Sequence, residues 1–201
     1  MQLTVEHCPN LTDASYAFTM QNLQILSLRH CPVESIQGVQ NLWNLWQLDI
    51  SGTKVTDLSP LAESDFSQGI AQMGGFILNL DEIRAKDFSA LASIDGYTRL
   101  SVNSLNAELW LEHLEGKIVL ELAASYSFEQ MKAGTDINGI FAEFIRTHMG
   151  LAKLHLTGND RLTDVSVLLE MPNLQSVRLS RTMEAAIASL GEGYSFQLNV
   201  S

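Results

Sequence analysis

Two stretches of this 201-residue chain carry side chains of the kind that hold metal ions. His7-Cys8 and His30-Cys31 are each followed by proline and fall in the same phase of a recurring pattern. Two imidazoles and two thiolates would suit a structural zinc site. The same pattern also explains both cysteines as small inward-facing turn residues beside histidines that point elsewhere, so no metal is expected. A Cys8 to Cys31 disulfide is geometrically conceivable between neighbouring strands, but it requires an oxidising compartment. A second set is Glu121, His155 and Arg178, a carboxylate, an imidazole and a guanidinium in three successive units. They could exchange protons with a substrate if a pocket enclosed them. On an open face, with no nucleophile motif beside them, they read as a polar binding patch, and neither an enzyme nor a cofactor is expected. Gly74, Gly75, Gly191 and Gly193 precede strand-like segments rather than joining a strand to a helix amino terminus, so they read as turns and not as phosphate loops.

The elements that position these residues follow from an internal repeat. Pairs of apolar residues spaced two apart recur along the whole chain: Leu3 and Val5, Leu26 and Leu28, Leu48 and Ile50, Leu78 and Leu80, Leu100 and Val102, Leu120 and Leu122, Leu154 and Leu156, Val177 and Leu179, Leu198 and Val200. Six of the eight spacings lie between 20 and 23 residues, the other two being 30 and 34, which is the period of a solenoid rather than of a layered domain. Three residues after each pair comes a turn column of Cys8, Cys31, Thr53, Ile83, Leu105, Ser125, Asn159 and Thr182, mostly small or able to hydrogen-bond. The segment 136–149, with Ile137, Ile140, Phe141, Phe144, Ile145 and Met149 in helical phase before Gly150, predicts an amphipathic helix on the convex side. Segments 84–93 and 183–190 predict shorter helices of the same kind.

Leu42 to Leu61, reading LWNLWQLDISGTKVTDLSPL, resembles a repeat of the bacterial, internalin-type leucine-rich-repeat family, and Leu162 to Leu179, reading LTDVSVLLEMPNLQSVRL, is similar to it. The earlier CPNLTD and CPVESI segments look closer to the cysteine-containing class of that superfamily. The resemblance implies an α/β fold: a curved solenoid of about nine repeats, with a parallel sheet on the concave face and short helices and loops on the convex face. One domain, 1–201, is expected, with longer convex insertions at about 61–75 and 126–150.

Alternation sends the apolar pair inward and the residues around it outward. The expected concave middle column therefore contains Asp49, Asn79, Glu121, His155 and Arg178, with Asp81 in the column that follows. Trp43 and Trp46 are expected near one rim, as partner anchors or as ordinary edge packing. Asp49, Asp81 and Glu121 suggest an acidic centre, and Lys153, His155 and Arg178 a basic flank.

With 12 basic and 23 acidic side chains the formal charge is −11, the wrong sign for a nucleic-acid backbone, and 46% hydrophobic content is too high for a disordered acidic tail. No apolar run reaches the ~18 residues of a membrane span. No secretory leader is recognisable, so a cytoplasmic location is expected. The expected function is non-catalytic protein binding through the concave face, the partner offering a basic surface. Two alternatives stay open: an acidic inhibitor or immunity protein masking a basic toxin or nuclease, and a structural adaptor. The latter would assemble as a homo-oligomer through solenoid ends that show no polar cap, unless the chain is a piece of something larger.

Overall fold

A computed structural model describes residues 1–201. Short strands follow one another along the chain: β1 (Gln2–Thr4), β2 (Ile25–Ser27), β3 (Gln47–Asp49), β4 (Phe76–Asn79), β5 (Gly96–Ser101), β6 (Ile118–Val119), β7 (Glu121–Ala123), β8 (Lys153–His155), β9 (Ser176–Leu179) and β10 (Gln197–Val200). They pair in parallel and in chain order into one sheet, except that β6 is a side branch on the start of β5. Each pairing sets one branched residue on the next, from Leu3 through Leu26, Leu48, Leu78, Leu100, Leu122, Leu154 and Val177 to Leu198. From Leu26 to Val177 all seven are fully buried, each burial stabilising by about 1.5–3 kcal/mol. No helix is long and apolar enough to cross a membrane.

The sixth repeat departs from expectation. Its inward pair is Leu122 and Ala124, both fully buried, while Leu120 is 39% exposed. Leu120 belongs to the approach to the strand, where its N–H donates to the Tyr97 carbonyl at 2.9 Å and its carbonyl accepts from Ala152 at 2.8 Å. The two framings differ by two residues and so share the same alternation, which cannot choose between them; pairing of Leu100 with Leu122 does. The residue in the turn column is consequently the buried Ser127, not Ser125. At the other end Thr182 is exposed, donating to Asp160 at 2.7 Å, and Met183 takes the buried place.

One turn is repeated at the exit of the strands. His7, His30, Gly52, Glu82, Ser104, Tyr126 and Gly158 all adopt left-handed backbone, with φ between 53° and 72°. From His7 to Tyr126 their N–H groups extend the ladder past the strands, as in His30 to the Ser51 carbonyl at 2.8 Å and Tyr126 to the Thr157 carbonyl at 2.9 Å, while Gly158 N–H donates to the Ser180 hydroxyl at 2.7 Å. Glycine at 52 and 158 answers a second need as well, since the rings of His30 and Tyr126 occupy the space a Cβ would take.

On the convex side the chain returns through 3₁₀ turns and four α-helices: α1 (Ser59–Ala62), α2 (Ser67–Met73), α3 (Ile137–Thr147) and α4 (Glu184–Ser189). An Asp-x-Ser unit starts several of these returns. The carboxylates of Asp13, Asp57, Asp87 and Asp164 each accept the N–H of the serine two residues on, at 2.8 to 2.9 Å. The predicted helix at 84–93 is reduced to a 3₁₀ turn at Ser89–Ser93, with Asp87 accepting the N–H of its first residue. Helix α3 matches the predicted segment. The Asp136 side chain caps it through Gly139 N–H at 3.0 Å, and Ile137, Phe141, Phe144 and Ile145 form its buried stripe. Phe141 meets Phe128 edge to face at 5.4 Å, and Trp110, fully buried, meets Phe128 and Phe144 at 6.1 and 6.0 Å. Helix α2 fills the other long step and lies against the chain leading into β3. A Cβ at Gly69 would run into the Leu45 and Asn44 carbonyls.

Candidate functional site

Because each strand sends alternate residues outward, three polar columns run across the concave face. The pairing Glu121 to Lys153 and Ala123 to His155 corrects the expected middle column: Ala123 occupies it in the sixth repeat, and Glu121 lies in the column before. Glu121 therefore stands between Arg99 and Lys153, not between Ser101 and His155.

In the first half the face is tied to itself. Asp49, 9% exposed, accepts the Ser51 N–H at 2.9 Å and an amide hydrogen of Asn79 at 3.1 Å. Asp81 accepts from Ser101 Oγ at 2.6 Å, from Asn103 N–H at 2.8 Å and from Asn103 Nδ2 at 3.3 Å. Asn103 passes the chain on to Ser125 N–H at 2.7 Å, and the Ser125 and Thr157 hydroxyls are 2.7 Å apart. Burial raises the Asp81 carboxyl above its ordinary value against those hydrogen bonds, with the nearby Asp49 charge adding to the rise.

In the second half the side chains are charged and open. Glu121 lies 3.5 Å from Arg99 Nε, 3.7 Å from Lys153 Nζ and 4.0 Å from His155 Nε2. Arg178, beside His155 in register, is exposed. Burial lowers the His155 pKa; Glu121 opposes the shift, while Arg178, Arg99 and Lys153 add to it. Arg99 is the member that the Leu120 frame concealed, and Lys153, expected in the basic flank, gains Glu121 as its neighbour. The Leu122 frame puts Arg99, Glu121 and Lys153 in one row.

Charge on this face is balanced. Its outward columns hold Glu6, Asp49, Asp81 and Glu121 against Arg29, Arg99, Lys153 and Arg178, so the whole −11 lies elsewhere. The expected acidic centre is thus corrected: Asp49 and Asp81 are engaged internally, and Glu121 sits among cations. Part of the acidity sits in the convex caps. Asp13, Asp57, Asp65, Asp87 and Asp164 are all held below the ordinary carboxylate value by hydrogen bonds from the serine two residues on. The backbone N–H contributes most for Asp13 and Asp87, and the hydroxyl for the other three.

Trp43 is 40% exposed and Trp46 half-buried at the rim where the chain enters β3, with the Trp43 carbonyl accepting Gly69 N–H of α2 at 3.4 Å. Ile118, 62% exposed, and Leu120 belong to the same strand-entry side of the sheet. The His7 and His30 rings stack at 4.7 Å on the opposite, strand-exit side, while Cys31 Sγ turns inward to the Val5 carbonyl at 3.3 Å. Both cysteines are free thiols, and no three His, Cys, Asp or Glu side chains are grouped to hold a metal. On the convex side a groove of about 320 Å³ lies between α3 and the turn at Leu111–Leu114, with Glu112, Glu115 and Glu143 around Leu111, Ile140 and Phe144.

Residues 21–63 match the family model described as Leucine Rich repeats (2 copies). Similar solved structures include an internalin C2 from Listeria monocytogenes str. 4b F2365, 19% identical with a TM-score of 0.48, and an internalin (inlF) from the same strain, 18% identical with a TM-score of 0.49. Each comparison covers 94% of this chain and 66% of the internalin chain, so the chain spans just under two thirds of their length. No curated protein matches the chain. The matched repeats contain β2 and β3, and parallel strands with convex returns continue from them in register across the sheet, so the fold is that of a leucine-rich-repeat solenoid.

Proposed function

We propose that the chain is a non-catalytic protein-binding module that holds its partner against the concave face. Leucine-rich-repeat folds generally serve as protein-interaction modules. The observation that carries the reading for this chain is a hydrogen-bonded network in two parts, Asp49 with Asn79, and Asp81 through Ser101 and Asn103 to Ser125 and Thr157. It fixes the side chains before a partner arrives and so reduces the ordering cost of binding. Nine strands about 4.8 Å apart give a face roughly 40 Å long, the scale of a protein partner. His155 and Arg178 contribute polar groups to it, Asn79 being held by Asp49, and Trp43 and Trp46 supply aromatic anchors at the rim. The version in which this face masks a basic toxin or nuclease draws on the net charge of −11, and the balance of charge on the concave face puts none of that surplus there.

The test is steric. Partners captured from the source organism by the native chain should be lost when bulky side chains are planted on the concave face, as in Asn79→Tyr with Ser176→Tyr. They should be retained with Gln37→Tyr and Gln130→Tyr on the convex returns. Equal retention by both variants would overturn the reading.

A further inference from the structure

The concave face is neutral as a whole, but its charges are not mixed evenly. Between β5 and β9 three permanent cations, Arg99, Lys153 and Arg178, share the single carboxylate of Glu121. None of the three reaches ordinary hydrogen-bond distance of it: Arg99 Nε stands at 3.5 Å and Lys153 Nζ at 3.7 Å, and Arg178 forms no ion pair. Arg99 Nε is also shut off from solvent without a hydrogen-bond partner. His155 lies inside the group, with Glu121 on one side at 4.0 Å and Arg178 beside it on the next strand. Two positive charges are therefore left over, on a rigid strand surface, in a protein whose net charge is −11. A cationic surplus against that background is a local exception in the protein's field, and it selects the sign of what can settle on it.

Resting on the concave-face reading, we infer that β8 and β9 receive an acidic segment of the partner, a short run of aspartate or glutamate carboxylates seated over Lys153, His155 and Arg178. The geometry supplies several donors of different reach. Arg178 offers a planar fork suited to bidentate carboxylate recognition, and Lys153 offers a mobile ammonium on the neighbouring strand. Glu121 holds Arg99 and Lys153 in place from the side, and the protein's remaining negative charge disfavours acidic segments anywhere else. The groups facing His155 are Glu121, Arg178, Arg99 and Lys153; burial first, and the three cations after it, lower the imidazole below its ordinary value. An incoming carboxylate reverses that balance, so binding takes up a proton and strengthens as pH falls through the imidazole range.

Titration of the full chain at low salt with a fluorescein-labelled peptide of alternating Glu and Ser, and with Gln/Ser and Lys/Ser counterparts, tests this by fluorescence anisotropy. The Glu peptide should bind and the other two should not. Lys153→Gln with Arg178→Gln should weaken it about tenfold or more. His155→Gln should remove the strengthening between about pH 7.5 and 5.5. No binding of the Glu peptide, preference for the Lys peptide, or binding indifferent to the double substitution would each overturn the acidic segment. The concave-face reading fails separately: a captured partner lost on Asn79→Tyr with Ser176→Tyr but unaffected by Lys153→Gln with Arg178→Gln leaves that reading standing and sinks this one.

Discussion

Within one sheet, the first and second halves of the concave face use the same register to opposite ends. From Asp49 to Asn103 each acid is saturated by neighbours, so its charge is spent on holding the strands' outward side chains in one arrangement. From Arg99 to Arg178 charge is only loosely paired, and the surplus remains available to a partner. The lesson is that the position of a carboxylate in a repeat does not decide its role; the donors placed one strand away do. Asp81 finds a hydroxyl and an amide there, whereas Glu121 finds two cations.

The halves also differ beneath the surface, and substitutions in one column bring this out. Asn159, fully buried, accepts from the N–H groups of Phe128 and Glu129 at 2.9 and 3.2 Å and donates to the Ala124 and Leu156 carbonyls at 3.0 and 2.7 Å. Its counterpart Thr53 donates to the Ile50 carbonyl at 2.7 Å and receives one long bond from Val55. Asn159→Ala orphans groups in two repeats and should destabilise by about 3 kcal/mol, against about 1 kcal/mol for Thr53→Val. Urea unfolding with unchanged slope reads the difference directly. Equal losses would mean that the second half is not pinned by its buried turn.

A smaller effect separates charge from hydrogen bonding in the first half. Asp81→Ala leaves the Ser101 hydroxyl and the Asn103 N–H without their acceptor and should cost about 1–2 kcal/mol. Asp81→Asn keeps an acceptor for both and removes a carboxylate whose ionised form burial disfavours, so it should cost less at neutral pH. A greater loss for Asn than for Ala, in thermal unfolding, would break the account of this half as a neutral-seeking network.

These residues also mark what the sequence could show. The solenoid was legible because burial of one apolar column demands a repeat of fixed length, and α3 because its stripe and cap obey helical spacing. The frame of the sixth repeat was not, since Leu120-Leu122 and Leu122-Ala124 alternate equally well and only partner strands distinguish them. That two-residue ambiguity moved Glu121 into the wrong column and hid its place between Arg99 and Lys153. Nor could composition reveal that Asp57, Asp87 and Asp164 serve as turn caps, because an Asp-x-Ser triplet gains meaning only once the chain is known to turn there.

Acid brings out the opposite signs of the two halves. His155 has a folded pKa below its ordinary 6.5, so the unfolded chain binds the proton first. Its contribution is whole above about pH 6.5 and is lost as pH falls through that value towards the folded one. Asp81 has a folded pKa above 3.8, so the native state binds the proton first and stability gains as pH falls through the interval between the two. Denaturation midpoints between about pH 7.5 and 5.5 should therefore decline in the native chain and decline less with His155→Gln. A profile unchanged by that substitution would remove His155 from the comparison.

The smallest effect belongs to the convex caps, and it shows whether the protein's acidity is structural or partner-directed. Asp57, Asp87 and Asp164 are held below 3.8, so they support the fold above that value and lose the support as pH falls through their folded values. Exchanging all three for asparagine keeps a side-chain oxygen able to accept the serine N–H, because asparagine caps about as well as aspartate. Stability at neutral pH should then barely change, while the acid limb of the unfolding profile should shift to lower pH, since three groups that lose their support on protonation are gone. Affinity for the Glu/Ser peptide should rise slightly at low salt, as three repelling charges are removed from a distance that added salt screens. Were these carboxylates instead part of a binding surface, the triple substitution would weaken partner capture while leaving the acid limb in place. The two halves of the concave face would then no longer be the molecule's main electrostatic contrast.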